Sequence, residues 1–202
     1  MSLPKDTARH TEKMKKRKAA QDKKTSQKTI ERGLLIVHTG SGKGKSTAAF
    51  GMAIRAIAHG MNIGIIQFIK GAWESGERDI FEKFPENVEI HAAGEGFTWE
   101  TQNRERDMEL VAKAWERARE MILDPKIKMV ILDELNIALR YEYLPLDEVV
   151  EFLQQRPADT HVIVTGRNAK SALVEAADLV TEMALIKHPF RSGVKAQKGI
   201  EF

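Results

Sequence analysis

Cysteine is absent from the 202 residues, which excludes disulfides, thiolate zinc sites, iron–sulfur clusters and any cysteine nucleophile, and makes a reducing compartment the simplest home. Long apolar runs are also missing. Asn62 to Ile69 and Met129 to Leu132 are the longest strongly hydrophobic stretches, far short of the roughly 20 residues a bilayer-spanning helix needs. No membrane association is expected. The basic start of the chain has no apolar core of a secretory signal and carries Asp6, Glu12, Asp22 and Glu31, so no targeting segment is read and the expected location is the cytoplasm. What the chain does have is a 42% hydrophobic fraction, enough to fill one sizeable core.

Charge is distributed unevenly. Residues 1–32 hold eleven Lys and Arg against four acids, a local +7, which leaves −4 for residues 33–202 out of the net +3. A nucleic-acid binder would carry its basic patch on the folded domain as well as on an arm, so this balance speaks against such a partner. With few apolar side chains, residues 1–32 are expected to be disordered or to form a helix docked on something.

From Gly33 the texture changes to short apolar runs alternating with helical patterns, the signature of a mostly parallel sheet flanked by helices. Strands are expected at Leu34–His38, Asn62–Ile69, Val88–Ala92, Met129–Asp133, His161–Thr165 and Leu179–Ile186. Helices are expected at Lys45–His59, Asn103–Leu123, Leu146–Gln155 and Ser171–Ala177. The long helix would place Met108, Val111, Trp115, Ala118 and Ile122 on one face. The segment from His188 has no pattern that assigns it.

The strongest local signal is Thr39-Gly40-Ser41-Gly42-Lys43-Gly44-Lys45-Ser46-Thr47 between a strand and a helix, the context in which a P-loop signature is meaningful. Glycines let successive N–H groups turn toward one anion, the helix N-terminus adds partial positive charge, and Lys45 adds a full one. Ser46 offers a hydroxyl to Mg²⁺. Thr39 stands where the first glycine of the general pattern would be. The second element is Met129-Val130-Ile131-Leu132-Asp133-Glu134, an apolar strand ending in two acids; after a P-loop, acids so placed hold Mg²⁺ directly or through water. Alone, either feature has a plainer reading, a glycine-rich turn or an acid-enriched helix start. Together they predict a P-loop NTPase fold of the RecA-like, three-layer type. No Asn-Lys-x-Asp stretch of the guanine-specific kind occurs.

Further segments narrow the class. Running in order from about Gly33 to the C-terminus, they are His38 to Gly51, Gln67-Phe68-Ile69-Lys70-Gly71, Gly96-Phe97-Thr98-Trp99-Glu100-Thr101-Gln102-Asn103-Arg104, Val130 to Leu135, Tyr143-Leu144-Pro145-Leu146, Thr165-Gly166-Arg167 and Gly193 to Ile200. In these the chain resembles the P-loop ATP:corrinoid (cob(I)alamin) adenosyltransferases of cobalamin biosynthesis and salvage. Ser46 and Ser41 depart from the threonine and asparagine common there. A hydroxyl remains at the first position; the second is a place where a contact to the nucleotide could change.

The resemblance implies that ATP is the co-substrate with Mg²⁺, and that Co(I) of a corrinoid (cobalamin, cobinamide or a precursor) attacks the 5′ carbon of the ribose and expels triphosphate. Such a nucleophile needs no general base, only positioning and charge stabilisation of the leaving group, here from Lys45 and the P-loop amides. Arg55 and Arg167 are read as reaching phosphate or ribose, with solvated surface charges as the alternative. Phe97 and Trp99, ordinarily core by spacing alone, would enter the corrinoid site and displace the lower axial ligand of Co(II), easing its reduction. With no redox group in the chain, an external reductase such as a reduced flavoprotein is implied. So is a homodimer, in which residues 1–32 fold over the corrinoid as a helical lid beside the adenosyltransferase domain, 33–202. The competing class is a RecA-like ATPase that binds nucleic acid through the basic arm; a small-molecule kinase is third.

Overall fold

In the computed structural model, which describes residues 4–69, 76–93 and 104–200, Met1–Glu31 and Arg32–Phe202 form two compact units. The first contains helix α1 (Pro4–Ser26), whose composition is strongly polar; Glu12 and Lys16, one turn apart, pair at 2.8 Å.

The second unit is built on six strands: β1 (Leu35–Thr39), β2 (Asn62–Gln67), β3 (Val88–Ala92), β4 (Ile127–Asp133), β5 (His161–Thr165) and β6 (Leu179–Glu182). They lie in the order β3-β2-β4-β5-β1-β6, with every pairing parallel. The helices are α2 (Lys45–Ala58), α3 (Gly76–Phe81), α4 (Arg104–Leu123), α5 (Leu135–Arg140), α6 (Leu146–Gln154) and α7 (Ser171–Ala176), and Pro189–Ser192 forms a 3₁₀ turn. No described helix is long and apolar enough to cross a membrane.

Alternation along the strands divides the core in two. Leu35 and Val37, Val130 and Leu132, and Val162 and Val164 face α4 to α7 with Val111, Trp115, Ala118 and Ile122. Ile36, Ile63, Ile65, Ile131 and Ile163 face Ala49, Phe50 and Ala53 of α2, and Phe50 meets Phe81 of α3 edge-on at 5.7 Å. The expected α4 face is buried except Met108, 37% exposed in the first turns. The central strands are covered on both sides, so they read as continuous apolar runs.

β6 stops at Glu182 where the apolar run suggested Ile186. The physical reason is that the chain turns there to support another loop: the Met183 N–H donates to the Thr39 carbonyl and the Met183 carbonyl accepts from the Gly42 N–H. Helices α3 and α5 were not anticipated, each being under two turns and too short for a helical period to register.

The strand starts are held by one carboxylate. Asp178 accepts from the Leu35 N–H at 2.8 Å, from Arg156 at 3.2 Å and from Arg32 at 2.5 Å. Hydrogen bonding by Arg32 holds its pKa below the usual carboxylate range. Asp178→Ala would leave the mostly buried Arg156 guanidinium and the Leu35 N–H without that partner, so a loss of about 2–3 kcal/mol is expected. Urea unfolding followed by circular dichroism measures it; an unchanged midpoint would mean water replaces the carboxylate at no cost.

Candidate active site

At the carboxyl ends of the strands, β1 leads through a loop into α2. Gly40 and Gly44 take left-handed backbone conformations with φ of 99° and 104°, which explains glycine at both. Gly42 is required for closeness: a Cβ there would lie 2.7 Å from the Ala184 carbonyl oxygen. The stretch after β6 is thus the wall on which the loop is moulded. Thr39 is buried, and its hydroxyl accepts from the Ala169 N–H at 3.0 Å.

Lys45 opens α2 and is buried, its Nζ donating to the Gly42 carbonyl at 2.5 Å. Burial lowers its pKa, the neighbouring positive charges of Arg167 and Lys43 lower it further, and Glu134 opposes them. Three neighbouring cations at the start of a helix make a cradle suited to a polyanion.

Opposite stand the acids that end β4. Asp133 is buried and accepts from the Thr165 hydroxyl at 2.7 Å. Burial raises its pKa, against hydrogen bonds from Thr165, Ser46 and Gln67. Glu134 sits at φ 60°, a left-handed conformation unusual for a residue with a side chain. Its Oε2 is buried without a partner, and burial followed by repulsion from Asp133 pushes its pKa up to about 7 although Lys45 and Arg167 pull it down. The Ser46 hydroxyl, the Asp133 carboxylate and the unpartnered Glu134 oxygen form an all-oxygen donor set. That set fits Mg²⁺, which favours one or two carboxylates plus substrate phosphates over an all-protein cage. No group of three or more His, Cys, Asp or Glu side chains able to hold a metal occurs among the described residues.

The structure therefore brings Thr39, Gly40, Gly42, Gly44, Lys43, Lys45, Ser46, Asp133, Glu134 and Arg167 together; Ser41 in the loop and Thr47 in the first turn of α2 are exposed. It does not bring Arg55 there. That residue is exposed in the last turn of α2, ten residues and about 15 Å along the axis from Lys45 at 1.5 Å per residue. Phe97 and Trp99 lie outside the described residues. Residues that sequence reasoning gave no role are Thr165, Gln67, Asn136, Met183 and His38, which is buried with neither ring nitrogen partnered. A polar residue closing an apolar strand was the available signal for Gln67 and Thr165; for Met183 there was none.

Fold and site define a P-loop nucleotide-binding protein of the three-layer α/β class. The flagellar accessory protein FlaH from Methanocaldococcus jannaschii, 13% identical, superposes with a TM-score of 0.50 over 76% of this chain and 72% of that one, a likeness of fold alone. Residues 31–202 match the family of ATP:corrinoid adenosyltransferases BtuR/CobO/CobP, and the chain belongs to that family. It is 60% identical to a corrinoid adenosyltransferase of Sinorhizobium sp over 98% of this chain and 94% of that protein. Identity is 54% with one from Pseudomonas aeruginosa (98% of each chain) and 47% with one from Salmonella typhimurium, over 96% and 98% of the two chains.

Proposed function

We propose that this chain transfers the 5′-deoxyadenosyl group of ATP to the Co(I) of a corrinoid. The Co–C5′ bond forms as the C5′–O bond breaks, cobalt is formally oxidised from Co(I) to Co(III), and triphosphate leaves with the bonding electron pair. The observation that carries the reading is the 60% identity over 98% of the chain to a corrinoid adenosyltransferase, joined to a cradle whose chemistry matches the leaving group. Likeness at that level does not favour the nucleic-acid ATPase.

The roles follow from the charges. Lys45, Lys43 and Arg167 bind the triphosphate and stabilise the charge it gains on leaving, at the positive N-terminal end of α2. Ser46, Asp133 and Glu134 would hold Mg²⁺, which would neutralise part of the phosphate charge. The transfer asks no side chain to move a proton, because Co(I) attacks without one to lose. Phe97 and Trp99 are proposed, on the family likeness, to exclude water and the lower axial ligand from cobalt. An external reductase, such as a reduced flavoprotein, supplies Co(I). Residues 1–32 act as a lid over the corrinoid in a homodimer, residues 33–202 are the transferase domain, and the protein works in the cytoplasm.

The test is an anaerobic assay with ATP, Mg²⁺ and chemically reduced cobalamin, following the cobalt spectrum and the phosphate product together. A light-sensitive adenosylcobalamin appearing with one triphosphate per turnover is expected. Steady corrinoid-independent release of phosphate without a spectral change would replace the transferase by a hydrolase.

A further inference from the structure

β5 lies between the strand that feeds the P-loop and the strand that ends in the acids, and its last residue touches both acids at once. Thr165 is fully buried. Its single hydroxyl proton goes to Asp133 Oδ1 at 2.7 Å, and the same oxygen accepts the Glu134 N–H at 2.9 Å. The second bond holds the backbone of a residue at φ 60°, where a side chain is disfavoured and something must fix it. The next residue completes the arrangement. The Gly166 carbonyl accepts from Asn136 Nδ2 at 2.9 Å, and a Cβ on Gly166 would come within 2.8 Å of Asn136 Cβ and 3.0 Å of Glu134 Oε2. On the other side, the Ala169 N–H reaches Thr39 at the start of the P-loop. One short stretch therefore sets the acids and the cradle against each other.

We propose that Thr165 is a positioning residue that orients Asp133 and Glu134 toward the Mg²⁺ of MgATP. The proposal rests on the reading of Ser46, Asp133 and Glu134 as the metal site. A hydroxyl is what the position needs, because no apolar side chain can donate to a carboxylate and accept from an amide with the same atom. Groups one step removed from a metal fix the orientation of its ligands, and losing one weakens metal binding by about 10- to 100-fold.

The experiment is calorimetric titration of the full chain with ATP, once in Mg²⁺ and once in EDTA, for the unmodified protein and for Thr165→Val, Thr165→Ser and Ser46→Ala. Thr165→Val, close in shape but without the hydroxyl, is expected to keep its affinity in EDTA and to lose at least about tenfold of the gain that Mg²⁺ confers. Its kcat for adenosylation falls while KM for the corrinoid stays. Thr165→Ser restores the Mg²⁺ gain. A valine variant with the full gain would overturn the proposal while leaving the metal site standing, and so would a folded serine variant that loses it. If the unmodified protein and Ser46→Ala both ignore Mg²⁺, the metal site itself is wrong and the role of Thr165 falls with it.

Discussion

Lys45→Ala is expected to lower kcat/KM for adenosyl transfer by about 10²–10³-fold, the scale on which a preorganised electrostatic contact acts on a developing charge. The leaving triphosphate gains negative charge as the C5′–O bond breaks, and Lys45 delivers a full positive charge from a buried position at the start of α2. Burial costs that charge solvation, as its lowered pKa records, so a polyanion in the cradle recovers more from it than from an exposed lysine. Lys43 and Arg167 are exposed and cannot substitute for it. Steady-state kinetics with reduced cobalamin, together with circular dichroism to establish folding, gives the answer. A folded alanine variant within threefold of the unmodified enzyme would remove Lys45 from the mechanism.

The second large effect is a dependence of stability on pH that runs against the usual carboxylate. Burial, then Asp133, raises Glu134 from 4.5 to about 7. Between those values the folded protein binds a proton that the unfolded chain has released. Stability is therefore lost as pH rises from 4.5 toward 7, and the full loss, on the order of 3 kcal/mol, is present above 7. His38 and His161 act in the opposite sense, because burial lowers their pKa values below 6.5 and folding then gains as pH rises. Comparison with Glu134→Gln isolates the carboxyl. In urea unfolding without nucleotide, the glutamine variant is expected to gain on the unmodified protein by up to that amount at pH 8 and by little at pH 5. An equal difference at both pH values would show that Glu134 does not titrate in this range.

Much of the site was legible in the chain because its parts are contiguous. The P-loop is nine consecutive residues whose glycines and cations act through backbone geometry that the local sequence dictates, and Asp133 and Glu134 simply terminate the apolar run of β4. The same locality explains the strands: Val88–Ala92 and His161–Thr165 have the bounds that their short apolar patterns predict. Arg55 illustrates the limit. A helix beginning at the P-loop suggested reach, but its position in the last turn carries it away along the axis.

Order along the chain determined the layered α/β class, the phosphate cradle and the family, since each depends on residue types at short, regular spacing. Tertiary structure alone decided that β5 stands between the two site strands, that Met183 and Ala184 wall the loop, and that one threonine joins both acids. Those contacts link residues 30 to more than 140 positions apart, and strand order, which no local periodicity encodes, is what brings them within a hydrogen bond.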